Sequence, residues 1–183
     1  MDKHLQRHLL GALIVLFVLT LAVIIYSFVT KSTVERLVHT YGYLGVAVVM
    51  FMSSATVILP APGLAVVFAA GGFLNPYLLG LFAGVGAALG EITGYLAGYG
   101  GREALYDSKN ERVKRVQKWV ERNGFLTIFV FAVIPNPLFD VVGIAAGGMK
   151  YDWKKFLLAA LIGNVIKATC IALLGVKFFG WVF

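Results

Sequence analysis

The chain has 183 residues, 60% of them hydrophobic and 14% charged, with a mean hydropathy of +0.85 and a net charge of +7. That balance excludes an ordinary soluble domain, because the apolar runs are long and the charges gather into short patches instead of lining one face of every helix. It also excludes a nucleic-acid surface, since most of the 16 Lys and Arg residues flank apolar segments, at Lys3 and Arg7, across Arg102 to Arg122, and at Lys150, Lys154 and Lys155.

Residues 9–29, LLGALIVLFVLTLAVIIYSFV, are uncharged and long enough to span a bilayer, so they predict an N-terminal transmembrane helix. The following YSFVTKS offers no small-residue cleavage site, and the segment is expected to remain as an anchor. With Lys3 and Arg7 in the cytoplasm, the positive-inside rule carries this helix outward.

Residues 41–100 form the first of two repeats. The stretch VILPAPGLAVVFAAGG at 57–72 is apolar, yet Pro60 and Pro62 remove backbone donors and break any helix at membrane depth. A clear span follows at 75–100 and must run inward, because Arg102 to Arg122 is the richest basic segment. In it Gly86, Gly90, Gly94 and Gly98 recur every four residues and predict a close-packing face. Glu91 projects on nearly the same side as Gly98, toward the bundle interior, where a carboxylate has to be paired, protonated or hydrated.

Residues 103–123 predict a cytoplasmic amphipathic helix. Ser108 and Glu111 have capping-box spacing, and Val113, Val116 and Val120 make one apolar stripe. Lys114, Arg115, Lys118 and Arg122 lie opposite and are expected to contact anionic headgroups. A solvated loop helix is the competing reading.

The second repeat covers residues 125–178. Its first part, VIPNPLFDVVGIAAGG at 133–148, again carries two prolines, Pro135 and Pro137, and ends in AAGG. Basic residues flank it on both sides, Arg122 before and Lys150 after, so both ends are expected inside. From Gly124 to Pro135 the chain covers only about 16 Å of helix, against a hydrocarbon core of about 30 Å, so it cannot cross and return. A re-entrant helix-break-helix loop is expected, against the alternative of a proline-kinked span.

The two AAGG motifs start at Ala69 and Ala145, 76 residues apart, and at that offset Glu91 falls on Lys167. One loop enters from outside and the other from inside. The expected fold is therefore an all-α polytopic membrane protein in which residues 1–183 make a single membrane domain. It is an inverted repeat of two re-entrant loops, each followed by a transmembrane helix, plus the N-terminal transmembrane helix.

Glu91, Asn136, Asp140, Asn164 and Lys167 are the candidate transport residues, expected to line a hydrated polar cavity at the midplane. Repeat symmetry suggests Glu91 as the partner of Lys167. A purely structural ion pair is the rival, but Asp140 adds a charge that one acid and one base do not neutralise. Cys170 is the single cysteine, and His4, His8 and His39 lie outside the polar core. With no phosphate loop and no nucleophile beside a base, neither an enzyme nor a cofactor or metal is expected.

A proline-broken loop, AAGG, a Gly-rich helix with Glu91 and then FVFAVIPNPLFDVVGIAAGGMKYDWKKF together resemble the DedA or VTT family, also called SNARE-associated Golgi proteins, over about residues 40–178. The F-x-x-x-x-x-P…AG-G-x(4)-F pattern is fairly specific to it. The resemblance implies a lipid flippase or scramblase, acting on undecaprenyl phosphate or phospholipid. The chain departs from many bacterial members at Ala132 and Leu138, where they carry arginines, and at Leu64, where they often carry an acid.

The leading expectation is a lipid transporter in the plasma membrane of a prokaryote, multi-pass, with a cytoplasmic N-terminus and an external C-terminus. Its partners would be membrane lipids and not nucleic acid, with assembly into a homo-oligomer left open. A proton- or ion-coupled carrier of a small solute is the runner-up, and a structural scaffold the third.

Overall fold

The structure is a computed structural model that describes residues 31–55, 63–101, 111–135 and 139–182. Six helices make up the described residues: α1 (Lys31–Ala55), α2 (Gly63–Gly71), α3 (Pro76–Gly100), α4 (Glu111–Val133), α5 (Phe139–Gly148) and α6 (Trp153–Val182). The expected span at 9–29, together with Pro60, Pro62, Ser108, Asn136 and Pro137, lies outside them.

Among the described residues two helices are long and apolar enough to cross a membrane, Pro76–Gly100 with mean hydropathy 1.4 and Trp153–Trp181 with 2.1. At 1.5 Å per residue both exceed the roughly 30 Å hydrocarbon core. Each starts at a short polar cap. Asn75 accepts from the backbone N–H groups of Tyr77 and Leu78 at 3.0 and 3.3 Å, with Pro76 in the first helical position, where a missing donor costs nothing. Asp152 accepts from the N–H groups of Lys154 and Lys155 at 2.9 and 3.0 Å.

These bonds, the one from Lys155 foremost, hold the Asp152 carboxyl below its usual range. Folding therefore lowers its proton affinity. The cap is complete above the ordinary value of 3.8 and is lost as pH falls through the lower folded value. Acidification is expected to lower the Tm of the wild type more than that of Asp152→Asn, whose amide oxygen caps without titrating. Thermal scans between pH 2.5 and pH 6 read the difference (~0.5-unit steps suffice).

The short helices are of another kind. α2 has 9 residues and α5 has 10, so each is about 15 Å long, half a hydrocarbon core. A kinked helix precedes each. α1 breaks at Gly42, whose φ of 51° and ψ of −140° suit glycine, and continues as an apolar arm to Ala55. α4 breaks at Asn123, with φ −157° and ψ 77°, just before Gly124. Its arm ends at Val133, because the ring of Pro135 disfavours helical geometry at Ile134.

The ends of each broken element meet. The Asn75 N–H donates to the Tyr43 hydroxyl at 3.2 Å, joining the start of the first arm to the turn after α2. In the second half Gly124 lies so close to the Tyr151 ring that a Cβ there would overlap it. Arg122 and Lys150 therefore sit at one end of the bundle.

Packing between the halves is reciprocal. α2 packs on α6 and hardly on α3, whereas α5 packs on α3. Four glycines permit it by letting backbones touch: Gly98 abuts the Ile144 carbonyl and Gly147 that of Tyr95, while Gly175 abuts the Phe68 carbonyl and Gly71 that of Ala172. Phe68 and Gly71 match Ile144 and Gly147 at an offset of 76, but Tyr95 and Gly98 match Ala172 and Gly175 at 77. The additional residue falls in the turn before α6, where Lys150 takes a φ of 55°. Glu91 is thus level with Ala168, one position beyond the Lys167 that the constant offset predicts.

The glycine face of α3 is divided among three partners. Gly86 and Gly90 meet Ala47 and Phe51 of α1, Gly98 meets α5, and Gly80 and Gly84 meet Thr169 and Val165 of α6. Gly94 is buried as well, with its backbone near Gly143 of α5, although a Cβ there would meet nothing. On α4 the buried Val116 and Val120 join a core of Ile128, Ala132, Val142 and Phe156. The apolar stripe is therefore spent on protein, and Lys114, Arg115, Lys118 and Arg122 remain exposed.

Candidate functional site

Three helices converge on a polar centre. α3 contributes Glu91, α6 contributes Asn164 and Lys167 one turn apart, and Asp140 stands in the first turn of α5, where the helix dipole favours an anion. Glu91 is 7% exposed and Asn164 0%, and they are the buried polar side chains among the described residues.

A carboxylate so deep needs a donor, and Asn164 supplies one. Its Nδ2 donates to Glu91 Oε2 at 2.7 Å and to the Ala160 carbonyl at 2.9 Å. Both amide hydrogens are then committed, while the buried Oδ1 has no hydrogen-bond partner among the described residues. Lys167 is half-buried, and its charge acts on both Glu91 and Asp140. Among the described residues no contact ion pair forms at this centre. Glu91 thus takes its hydrogen bond from Asn164, while Lys167 acts through its charge on both Glu91 and Asp140. The register of 77 explains this, because one residue along a helix turns a side chain by about 100°.

Of the sequence-derived candidates, Glu91, Asp140, Asn164 and Lys167 come together; Asn136 lies outside the described residues. Pro135 stands exposed at the end of the α4 arm, and the four basic residues of α4 lie along its exposed face, outside this centre. Two contacts had no expectation behind them. Thr93 Oγ1 donates to the Ala55 carbonyl at 3.2 Å, satisfying an acceptor that the end of the α1 arm leaves open. Tyr95 Oη donates to the Tyr151 carbonyl at 2.5 Å and ties α3 to the turn before α6. Their signal was faint, a hydroxyl two and four residues after Glu91.

A family model of the VTT domain matches residues 59–177, most of the chain and all four residues of the centre. The chain belongs to the VTT domain family. As a VTT protein it is a membrane protein, and the DedA or VTT resemblance of the sequence holds. Similar relatives include vacuole membrane protein KMS1 of Arabidopsis thaliana, 34% identical over 106 residues, covering 47% of this chain and 26% of the relative. Vacuole membrane protein 1 of Mus musculus is 33% identical, covering 45% of this chain and 26% of that protein. This VTT protein thus spans about a quarter of the length of those relatives. An alkaline phosphatase-like protein of Lactococcus lactis is 25% identical over 163 residues, covering 79% of this chain and 74% of its own. No solved structure matches the chain.

Proposed function

We propose that the protein moves lipids between leaflets, as a flippase or scramblase of a polyprenyl phosphate or a phospholipid. In this reading the two broken elements are re-entrant loops related as an inverted repeat, each followed by a transmembrane helix. Short helices of about 15 Å, element ends that meet at Tyr43–Asn75 and Gly124–Tyr151, and the reciprocal glycine contacts all support it. A polar headgroup passes Glu91, Asp140 and Lys167, with Asn164 beside them, while the tails stay in lipid, and the sequence candidate Asn136 is assigned to the same path. The membrane is the plasma membrane of a prokaryote, crossed several times, with the N-terminus cytoplasmic, the C-terminus outside and the basic face of α4 on cytoplasmic headgroups. Lipids are the partners, nucleic acid is not, and no catalysis is assigned.

The observation that carries the proposal is Asp140 and Lys167, both half-buried, facing a buried Glu91 where a helix too short to cross begins. Ionisable groups at membrane depth line a path or a cavity more readily than they stabilise a bundle. The full chain in liposomes carrying a labelled phospholipid in both leaflets tests this. Flip faster than in protein-free liposomes is expected, and Asp140→Asn is expected to slow it several-fold. A second reading, a proton- or ion-coupled carrier of a small solute, is favoured by the excess of two carboxylates over one ammonium. Solute flux without lipid flip would replace the first reading with the second.

A further inference from the structure

The kink of α4 at Asn123 folds its basic half back over its apolar arm and opens a cavity of about 560 Å³ in the elbow. That volume lies within the range of roughly 300–1,000 Å³ typical of small-molecule sites. Trp119 and Phe131, twelve positions apart in sequence, both line it and pack against each other, with ring centroids 5.8 Å apart. The shape is fixed from inside. Thr127 Oγ1 donates to the Trp119 carbonyl at 3.0 Å across the bend, and the Val116–Val120 stripe behind it is buried in the core.

The lining changes character along its length. At one end stands Arg122, the single charged residue among those that line the cavity, with Asn123 and Thr127 beside it. Lys114, Arg115 and Lys118, exposed on the same helix, extend the positive field. At the other end are Leu126 and Val130, 52% and 40% exposed, on the arm that runs to membrane depth. A cation at the interface above an exposed apolar floor is complementary to one kind of molecule, an anionic amphiphile. Trp119, 43% exposed, is of the residue type that prefers the membrane interface.

We propose that this elbow binds one anionic glycerophospholipid of the adjoining leaflet, its phosphate at Arg122 and an acyl chain along Leu126 and Val130. The site is separate from the Glu91–Lys167 centre and rests on the placement of the α4 basic face at the headgroups and of its apolar arm in the membrane proposed above. A resident lipid here fixes the angle between the two halves of α4, and with it the α4 arm that leads to Pro135.

Trp119 is its own reporter. The full chain carrying Trp153→Phe and Trp181→Phe keeps it as the one tryptophan of three. It is reconstituted in phosphatidylcholine vesicles and titrated with acyl-brominated phosphatidylglycerol or, in parallel, acyl-brominated phosphatidylcholine. Half-maximal quenching by the anionic lipid is expected at a mole fraction about fivefold lower, the ratio that roughly 1 kcal/mol for one basic residue at an anionic surface gives. Arg122→Gln is expected to remove that preference and Lys114→Gln to leave most of it. Should Arg122→Gln not be recovered folded, Leu126→Glu, which puts a carboxylate in the tail path, is expected to remove it likewise. Matching curves for the two lipids overturn the site, as does an equal loss in Arg122→Gln and Lys114→Gln, which is the mark of diffuse surface attraction. Protection of Trp119 from both lipids overturns it too, with the elbow filled by protein such as residues 1–30.

Discussion

Glu91→Gln is expected to leave the protein folded and to slow lipid flip about tenfold or more, equivalent to about 1.4 kcal/mol on the barrier. The two properties separate because the amide keeps the hydrogen bond and discards the charge. Asn164 Nδ2, which reaches Glu91 Oε2 at 2.7 Å, finds an equally placed carbonyl oxygen in glutamine. Lys167, by contrast, is left with Asp140 as its one carboxylate neighbour at the centre. Glu91→Ala is expected to add a folding defect of roughly 1–3 kcal/mol, because an amide hydrogen on a fully buried Asn164 then has no acceptor. Flip rates in liposomes and melting in detergent read the two effects. Wild-type flip in Glu91→Gln would reduce the carboxylate to a structural tie between α3 and α6.

A larger effect is expected at Gly147. Its missing Cβ leaves room for the Tyr95 carbonyl, and the Tyr99 nitrogen lies 2.9 Å from the place a Cβ would take. Both are backbone atoms of α3, so nothing there can swing aside. Gly147→Leu has to push α5 off α3, breaking the apposition in which Gly98 abuts the Ile144 carbonyl. The loss is expected to exceed about 4 kcal/mol, which leaves little or no folded protein after extraction. Gly143→Ala in the same helix is the control. Its nearest neighbours, the Tyr95 nitrogen and the Phe156 ring, lie 3.6 and 3.8 Å from an added Cβ, ordinary contact. Alanine also favours a helix by about 1 kcal/mol over glycine, so its Tm is expected to hold or rise. A destabilisation of Gly143→Ala equal to that of Gly147→Leu would show that helix composition, and not close approach, governs α5.

These positions also show what was legible before any coordinates. The paired AAGG motifs were readable because close backbone approach admits glycine alone, so contact geometry is written directly in residue type. Glu91, Asp140 and Lys167 were readable because charge is costly at membrane depth. The choice of Asn164 over Lys167 as the hydrogen-bond donor to Glu91 was not, since it depends on one residue in the turn at Lys150, and turns carry no helical periodicity.

The kinked helices held a further likeness that a single offset conceals. VERLVHTYG at 34–42 and VQKWVERNG at 116–124 share Val, Val and Gly at an offset of 82, and each closes on a break, at Gly42 and at Asn123. The first arm, Gly42 to Ala55, is four residues longer than the second, Gly124 to Val133, and the connection that follows is two longer, so the match drifts by six and falls out of step with the AAGG pair. The Trp119–Phe131 elbow was hidden for another reason: its two rings become neighbours only through the backbone angles at Asn123.

The reciprocal seating of α2 on α6 and α5 on α3 bears on how such a molecule arises. A precursor with one broken element and one long helix would leave Gly71 and Gly98, or Gly147 and Gly175, without the backbone they abut. Under the proposed inverted repeat, two such precursors in contrary orientations would cover each other through the same contacts. Severed between α3 and α4 and co-expressed, the fragments should find one another in the bilayer, whereas either alone should be degraded.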